Sequence, residues 1–186
     1  LMGPPWRWFV LMGLVLCSTW AHAESYSAST RALPSEQVKS GLHFSGKDVQ
    51  ALQADEFGNP AQFWLGMGEQ LWRQPSPSNG KSCLGCHGEA MTSMQGVATR
   101  YPAVDKRSGH LMNVEDRINQ CTTKNQKRPA LAPESDALLG LTLLVAQASK
   151  GLPLQVNITG AAKPHWQKGA ALFNQRQGQL NLSCAQ

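Results

Sequence analysis

After residue 23 no stretch of this 186-residue chain approaches the roughly 20 consecutive apolar residues that a membrane-spanning helix needs, which leaves no membrane span in that part of the chain. Charge is also sparse. Only 16% of residues are charged, and 17 Lys and Arg against 12 Asp and Glu leave a formal +5. The densest basic cluster, Lys124 to Arg128, holds three charges, too thin for the basic stripe of a nucleic-acid binder, so nucleic acid is excluded as a partner. Aromatics are few at 7%, and no sustained apolar alternation marks paired strands. The length suits one domain with part of another and excludes a large multidomain enzyme. What the chain does have is an odd number of cysteines: five, at positions 17, 83, 86, 121 and 184.

The first residues read as an address. Arg7 precedes an uncharged apolar run from Phe9 to Cys17, and Ala21-His22-Ala23 follows as an A-x-A cleavage site. Residues 1–23 are therefore expected to be a secretory signal peptide, cleaved after Ala23, with the mature protein outside the cytoplasm. Bulky Leu16 argues against lipid attachment at Cys17. Leu1, where an initiator Met would stand, adds the expectation that the sequence is a piece of a longer protein.

Helical spacing organises most of the mature chain. Residues 24–60 form a polar arm with one helix near Lys47 to Ala54. Phe63, Met67 and Leu71 share a face of a helix that Pro75 ends. Asn113 is the expected cap of a helix carrying Val114, Ile118 and Cys121. The strongest helix, Glu134 to Lys150, carries a wide stripe of Leu138, Leu139, Leu141, Thr142, Val145 and Ala146 and stops at Gly151. Another begins near His165. No strand pairing is expected, so the fold class is all-α. The division is an arm at 24–60, a first domain at 61–151, a linker at 152–164 and the start of a second domain at 165–186.

Cys83-Leu84-Gly85-Cys86-His87 is C-x-x-C-H, the attachment signature of c-type haem. Two thiols three positions apart can reach both vinyl groups of one porphyrin, and the His after them lies under the iron. Alone, C-x-x-C also suits a redox dithiol or half a zinc site, but zinc would need two further ligands at similar spacing. The expected cofactor is haem c, attached through Cys83 and Cys86 with His87 as proximal iron ligand, in a cytochrome c domain. Candidates for the sixth ligand are Met91, Met94, His110, Met112 and Cys121. Parity favours Cys121, because a free thiol is a liability in an oxidising compartment and its own domain offers no partner.

Residues 68–83 repeat at 169–184. Gly68 falls on Gly169, Leu71 on Leu172, Gln74 on Gln175, Ser82 on Ser183 and Cys83 on Cys184, with Trp72 on Phe173. A period of 101 residues is far too long for a solenoid and points to a duplicated haem domain. Cys184 then opens a second C-x-x-C-H motif, and two haems are expected in the full-length protein.

In these motifs the chain resembles SoxA, the larger subunit of the SoxAX cytochromes of bacterial sulfur oxidation. The likeness runs through Lys39-Ser40-Gly41, Asp55-Glu56-Phe57, Gly68-Glu69-Gln70-Leu71-Trp72 and Gly80-Lys81-Ser82 leading into the haem motif. It continues through Arg100-Tyr101-Pro102, Arg117-Ile118-Asn119-Gln120-Cys121 and Gly178-Gln179-Leu180-Asn181-Leu182-Ser183-Cys184. The resemblance implies a periplasmic diheme protein that pairs with the small cytochrome SoxX and joins thiosulfate to a cysteine of the SoxYZ carrier. Electrons would pass to haem and then to an external cytochrome. It implies Cys121 as distal thiolate of the first haem and Cys184 as first anchor of the second. It also places the catalytic cysteine and its arginine at the second haem, past Gln186, so no catalytic residue is assigned here. The rival functions are a diheme cytochrome that only carries electrons and a haem-based sensor or structural subunit.

Overall fold

The computed structural model describes residues 39–55 and 57–186; the expected signal peptide and the arm as far as residue 38 lie outside them. Among the described residues no helix is long and apolar enough to cross a membrane. Among the described residues seven α-helices follow one another: α1 (Lys47–Ala54), α2 (Gln62–Arg73), α3 (Cys83–His87), α4 (Ala90–Ser93), α5 (Val114–Lys124), α6 (Asp136–Gln147) and α7 (Lys163–Asn174). The mainly helical class matches the all-α expectation. One small addition is an antiparallel pair, β1 (Ala103–Val104) with β2 (Leu111–Met112), registered Ala103 to Met112 and Val104 to Leu111. Two-residue strands are too short to write an alternating pattern into a sequence.

Local chemistry sets the helix ends. Asn113 accepts a hydrogen bond from the Asp116 amide at 2.7 Å while the Asp116 carboxylate accepts from the Asn113 amide at 3.0 Å, a complete capping box on α5. Ser135 caps α6 by accepting from the Leu138 amide, and Asp136 lies in the first turn, where the helix dipole favours an acid.

The core forms where α2 crosses α6. Trp72, Leu141, Leu144 and Val145 are buried together with Ala90 of α4, while Leu138 and Leu144 have the largest fully enclosed side chains. Each such leucine contributes roughly 1.5–3 kcal/mol of transfer free energy. The crossing is backbone on backbone: Gly68 of α2 faces Gly140 of α6 with no room for a Cβ on either.

This contact fixes the rotation of α2 and corrects the expected apolar face. Phe63 is 85% exposed and Met67 also reaches solvent, whereas Gly68 and Trp72 are buried with Leu65 and Leu71 beside them. At the same crossing the Trp64 indole N–H donates to Asp136 Oδ1 at 3.1 Å. In α6, Leu139 and Ala146 of the expected stripe are likewise exposed.

Past α6 the chain runs to α7 without regular structure at residues 152–157, tied back where the Gln155 amide donates to the Thr99 carbonyl at 2.9 Å. Helix α7 buries none of its residues, and Trp166, Leu172 and Phe173 are about half exposed. Its bounds are informative. Lys163 lies 101 residues after Gln62, and Asn174 lies 101 after Arg73, so the sequence offset carries both ends of the helix.

Candidate haem-binding site

Helix α3 is one turn long and exists to present side chains. Ser82, buried at its start, accepts from the Gly85 amide at 2.9 Å, and Gly88 ends it at φ +76, a left-handed position that favours glycine. The buried Trp72 indole donates to the Gly88 carbonyl at 2.9 Å, so the core of α2 holds the turn just after His87. The rings of Trp72 and His87 lie 5.9 Å apart between centroids, tilted by 36°. Cys83 is half-buried and accepts from Gln126 Nε2 at 3.3 Å; burial pushes its thiol pKa up, against the pull of that hydrogen bond. Cys86 and His87 are exposed.

Cys83 and His87 open onto a cavity of about 330 Å³. Its walls are apolar: Val97, Ile118, Leu141 and Val145 contribute, with Trp72 behind His87. Cys121 enters from α5, one turn beyond Arg117, and both line the cavity. Burial raises the Cys121 thiol pKa, while the Arg117 cation and a hydrogen bond with Asn125 pull it down.

The five candidate sixth ligands separate. Cys121 and Met94 line the cavity; Met91 and His110 are exposed, and Met112 is buried in β2 away from the cavity lining. Met94 follows the short helix α4, seven residues after His87, whereas Cys121 arrives on a separate helix. Cys184 stands apart from this constellation, exposed after α7, where the neighbouring Ala185 amide donates to the Phe173 carbonyl at 3.2 Å.

The donor set fits haem c. An apolar slot lined by the Cys83 thiol, an imidazole and the Cys121 thiol, with the exposed Cys86 three positions after Cys83, matches a flat hydrophobic ring with a metal at its centre. Among the described residues no three His, Cys, Asp or Glu side chains converge to hold a bare metal ion.

One part of the site has no role assigned from sequence, although Arg100-Tyr101-Pro102 and Arg117-Ile118-Asn119-Gln120-Cys121 stand among the motifs of the resemblance. Arg117 donates from Nε to the Tyr101 hydroxyl at 3.1 Å and from Nη2 to Asp105 Oδ1 at 3.2 Å, and its Nη1 donates to Gln120. Asp105 is buried and accepts from both the hydroxyl and the amide of Ser108, at 2.8 and 3.1 Å. The available signal was the four-residue spacing from Arg117 to Cys121, which puts both on one helical face.

The Asp105 network predicts acid sensitivity. Ser108 above all, with Gln120 and Arg117, more than offsets burial and holds the Asp105 pKa at about 2 against an ordinary 3.8. A carboxyl with a depressed folded-state pKa contributes stability that is complete above the unfolded value and is lost as pH falls through the folded one. The stability difference between wild type and Asp105→Asn should therefore be constant above about pH 5 and shrink between about pH 4 and 2. Urea unfolding at stepped pH measures it; a difference that does not change with pH would contradict the assignment.

Residues 67–154 match the family model of the SoxA/TsdA cytochrome c domain. The chain is 33% identical over 150 residues to the L-cysteine S-thiosulfotransferase subunit SoxA of Rhodovulum sulfidophilum, covering 81% of this chain and 52% of that protein. For the SoxA subunit of Paracoccus pantotrophus the identity is 34% over 150 residues, covering 81% and 51%. The chain is a SoxA homologue. The crystal structure of SoxXA from P. pantotrophus superposes with a TM-score of 0.72 at 34% identity, over 80% of this chain and 56% of that one. A shorter likeness, 30% over 95 residues, reaches the thiosulfate dehydrogenase of Allochromatium vinosum, covering 46% of this chain and 35% of that protein. The chain spans about half the length of the two SoxA relatives. Residues 67–154 are thus a SoxA/TsdA-type cytochrome c domain, and the group implied for the apolar cavity of this domain is haem c.

Proposed function

We propose that this SoxA homologue serves in a SoxAX-type complex, the periplasmic partner of a small SoxX cytochrome. The complex oxidatively joins thiosulfate to a cysteine of a SoxYZ carrier. The observation that carries the reading is that Cys83, His87 and Cys121 line one apolar cavity within a domain homologous to SoxA. Cys83 and Cys86 would hold the porphyrin as thioethers, and His87 together with Cys121, as a thiolate, would ligate the iron. Trp72, by donating to the Gly88 carbonyl, fixes the turn just after His87, and the cavity walls are apolar. Bound there, the haem would supply a one-electron acceptor whose thiolate ligand favours the ferric state.

The reaction balances as a carrier thiol plus thiosulfate giving a carrier S-thiosulfonate, one proton and two electrons. The new bond is S–S, and the carrier S–H bond breaks. Two haems would accommodate the two electrons before an external cytochrome removes them. Cys184 is read as the first anchor of the second haem, in a second domain expected from 165 after a first at 61–151 and a linker at 152–164. The 101-residue offset of α2 and α7 supports the duplication, although α7 already begins at Lys163, inside the expected linker. No residue of this chain is given a catalytic role.

The holoprotein is expected to show a low-spin thiolate-ligated haem spectrum that Cys121→Ala abolishes while covalent attachment persists. An unchanged spectrum would remove Cys121 from the iron. For the activity, full-length protein with its SoxX-type partner should consume thiosulfate only in the presence of the carrier thiol, releasing two electrons per conjugate. Electron exchange without conjugate would instead identify a carrier cytochrome.

A further inference from the structure

We infer that Arg117 is a positioning residue for the distal thiolate: a braced cation on the cavity wall that keeps Cys121 bound to iron by offsetting its negative charge. The inference rests on the reading of Cys121 as iron ligand and goes beyond it. Among the described residues lining the cavity, Arg117 is the one that carries a permanent charge. Residues four apart on a helix are neighbours, so its guanidinium and the Cys121 sulfur share the same face of α5. Apolar walls lower the local dielectric, which strengthens the attraction and makes an unpartnered thiolate costly.

The geometry explains why this arginine stays where it is. Each of its three guanidinium nitrogens has a partner: Tyr101 at Nε, Gln120 at Nη1 and Asp105 at Nη2. Asp105 is itself buried and pinned by Ser108, and the turn that holds it is closed by the β1–β2 pair and by the Asp105 amide donating to the His110 carbonyl at 2.8 Å. Three side chains and a strand pair thus hold one cation beside one sulfur. A surface arginine serving only α5 would need none of this.

Opposite charge changes on the two sides of the ion pair give opposite results, which a structural role would not. The experiment uses the haem-loaded protein at fixed neutral pH and follows the thiolate spectrum while imidazole competes for the iron. Arg117→Gln should lower the imidazole concentration that displaces half of the thiolate about tenfold, and Arg117→Lys should restore most of it. Asp105→Asn keeps a carbonyl oxygen to accept from Nη2 but removes the competing anion, so it should raise that concentration. If Arg117→Gln loses haem, the direction of the Asp105→Asn shift decides alone. Midpoints that fall in both Arg117→Gln and Asp105→Asn would mean a structural network, and no shift in either would mean no coupling; both overturn the inference. A wild-type spectrum lacking thiolate ligation would instead sink the reading of Cys121, so the two failures are told apart.

Discussion

Gly68→Ala is expected to destabilise the folded domain by about 3 kcal/mol, the upper end of ordinary overpacking, although alanine is the better helix former by about 1 kcal/mol. The added methyl would be driven onto the Gly140 carbonyl, 2.7 Å from its carbon and 3.2 Å from the Leu144 Cβ. Backbone cannot rotate away as a side chain can, so α2 and α6 must separate. Gly140→Ala meets the same wall from the other side, 2.8 Å from the Trp64 carbonyl oxygen and 3.0 Å from the Gly68 nitrogen. Gly66 supplies the internal control. It lies in the same helix, where an added Cβ would meet nothing within 4 Å, so Gly66→Ala should stabilise by about 0.5–1 kcal/mol. Urea or thermal unfolding of the haem-loaded protein reads all three. If Gly68→Ala and Gly66→Ala behave alike, close backbone contact does not set this crossing.

The same crossing shows where sequence reading succeeds and where it stops. Covalent chemistry dictates the Cys83–Cys86–His87 spacing, so the motif is legible without any fold. Helix ends are legible in part: Asn113, the expected cap, does cap α5 through its own side chain, whereas Ser135, inside the expected Glu134 to Lys150 helix, is the cap of α6. Apolar periodicity, by contrast, marks the face of α2 that holds large side chains. The buried face is chosen by the glycine that permits the closest approach, and Phe63 is left in solvent. A glycine's lack of volume adds nothing to a hydrophobic stripe, so periodicity carried no trace of the signal that decided the packing.

The cavity divides in a similar way. Cys121 was reached by counting thiols, an argument about chemistry that needs no geometry. The Tyr101–Asp105–Arg117 network was not reached, because its parts come from a loop, a strand end and a helix brought together only by the tertiary fold. The repeat behaved differently again. An offset chosen to align two cysteines also aligned both ends of two helices, and their N-terminal ends, Gln62 and Lys163, lie outside the stretch that was matched.

Replacing both Cys83 and Cys86 by alanine should abolish covalent haem retention, and here the effect is close to all or none. Thioethers survive denaturation and axial bonds do not, so a haem stain on a denaturing gel should be lost in the double variant and kept in His87→Ala. The His87 variant should instead lose its low-spin spectrum, since the proximal ligand goes while the porphyrin stays tethered. The consequence for folding comes from volume. Without the ring, the apolar walls of a cavity of about 330 Å³ lose their packing partner, a loss felt by the α2–α6 core that forms part of those walls. The double variant is therefore expected to lose cooperative unfolding and most of its helical circular dichroism as well as its haem. Retention of haem through denaturation would refute the thioether assignment. A well-folded variant without haem would show that α2, α5 and α6 can close over the cavity, so that Trp72, Leu141 and Val145 hold the core without the cofactor between them.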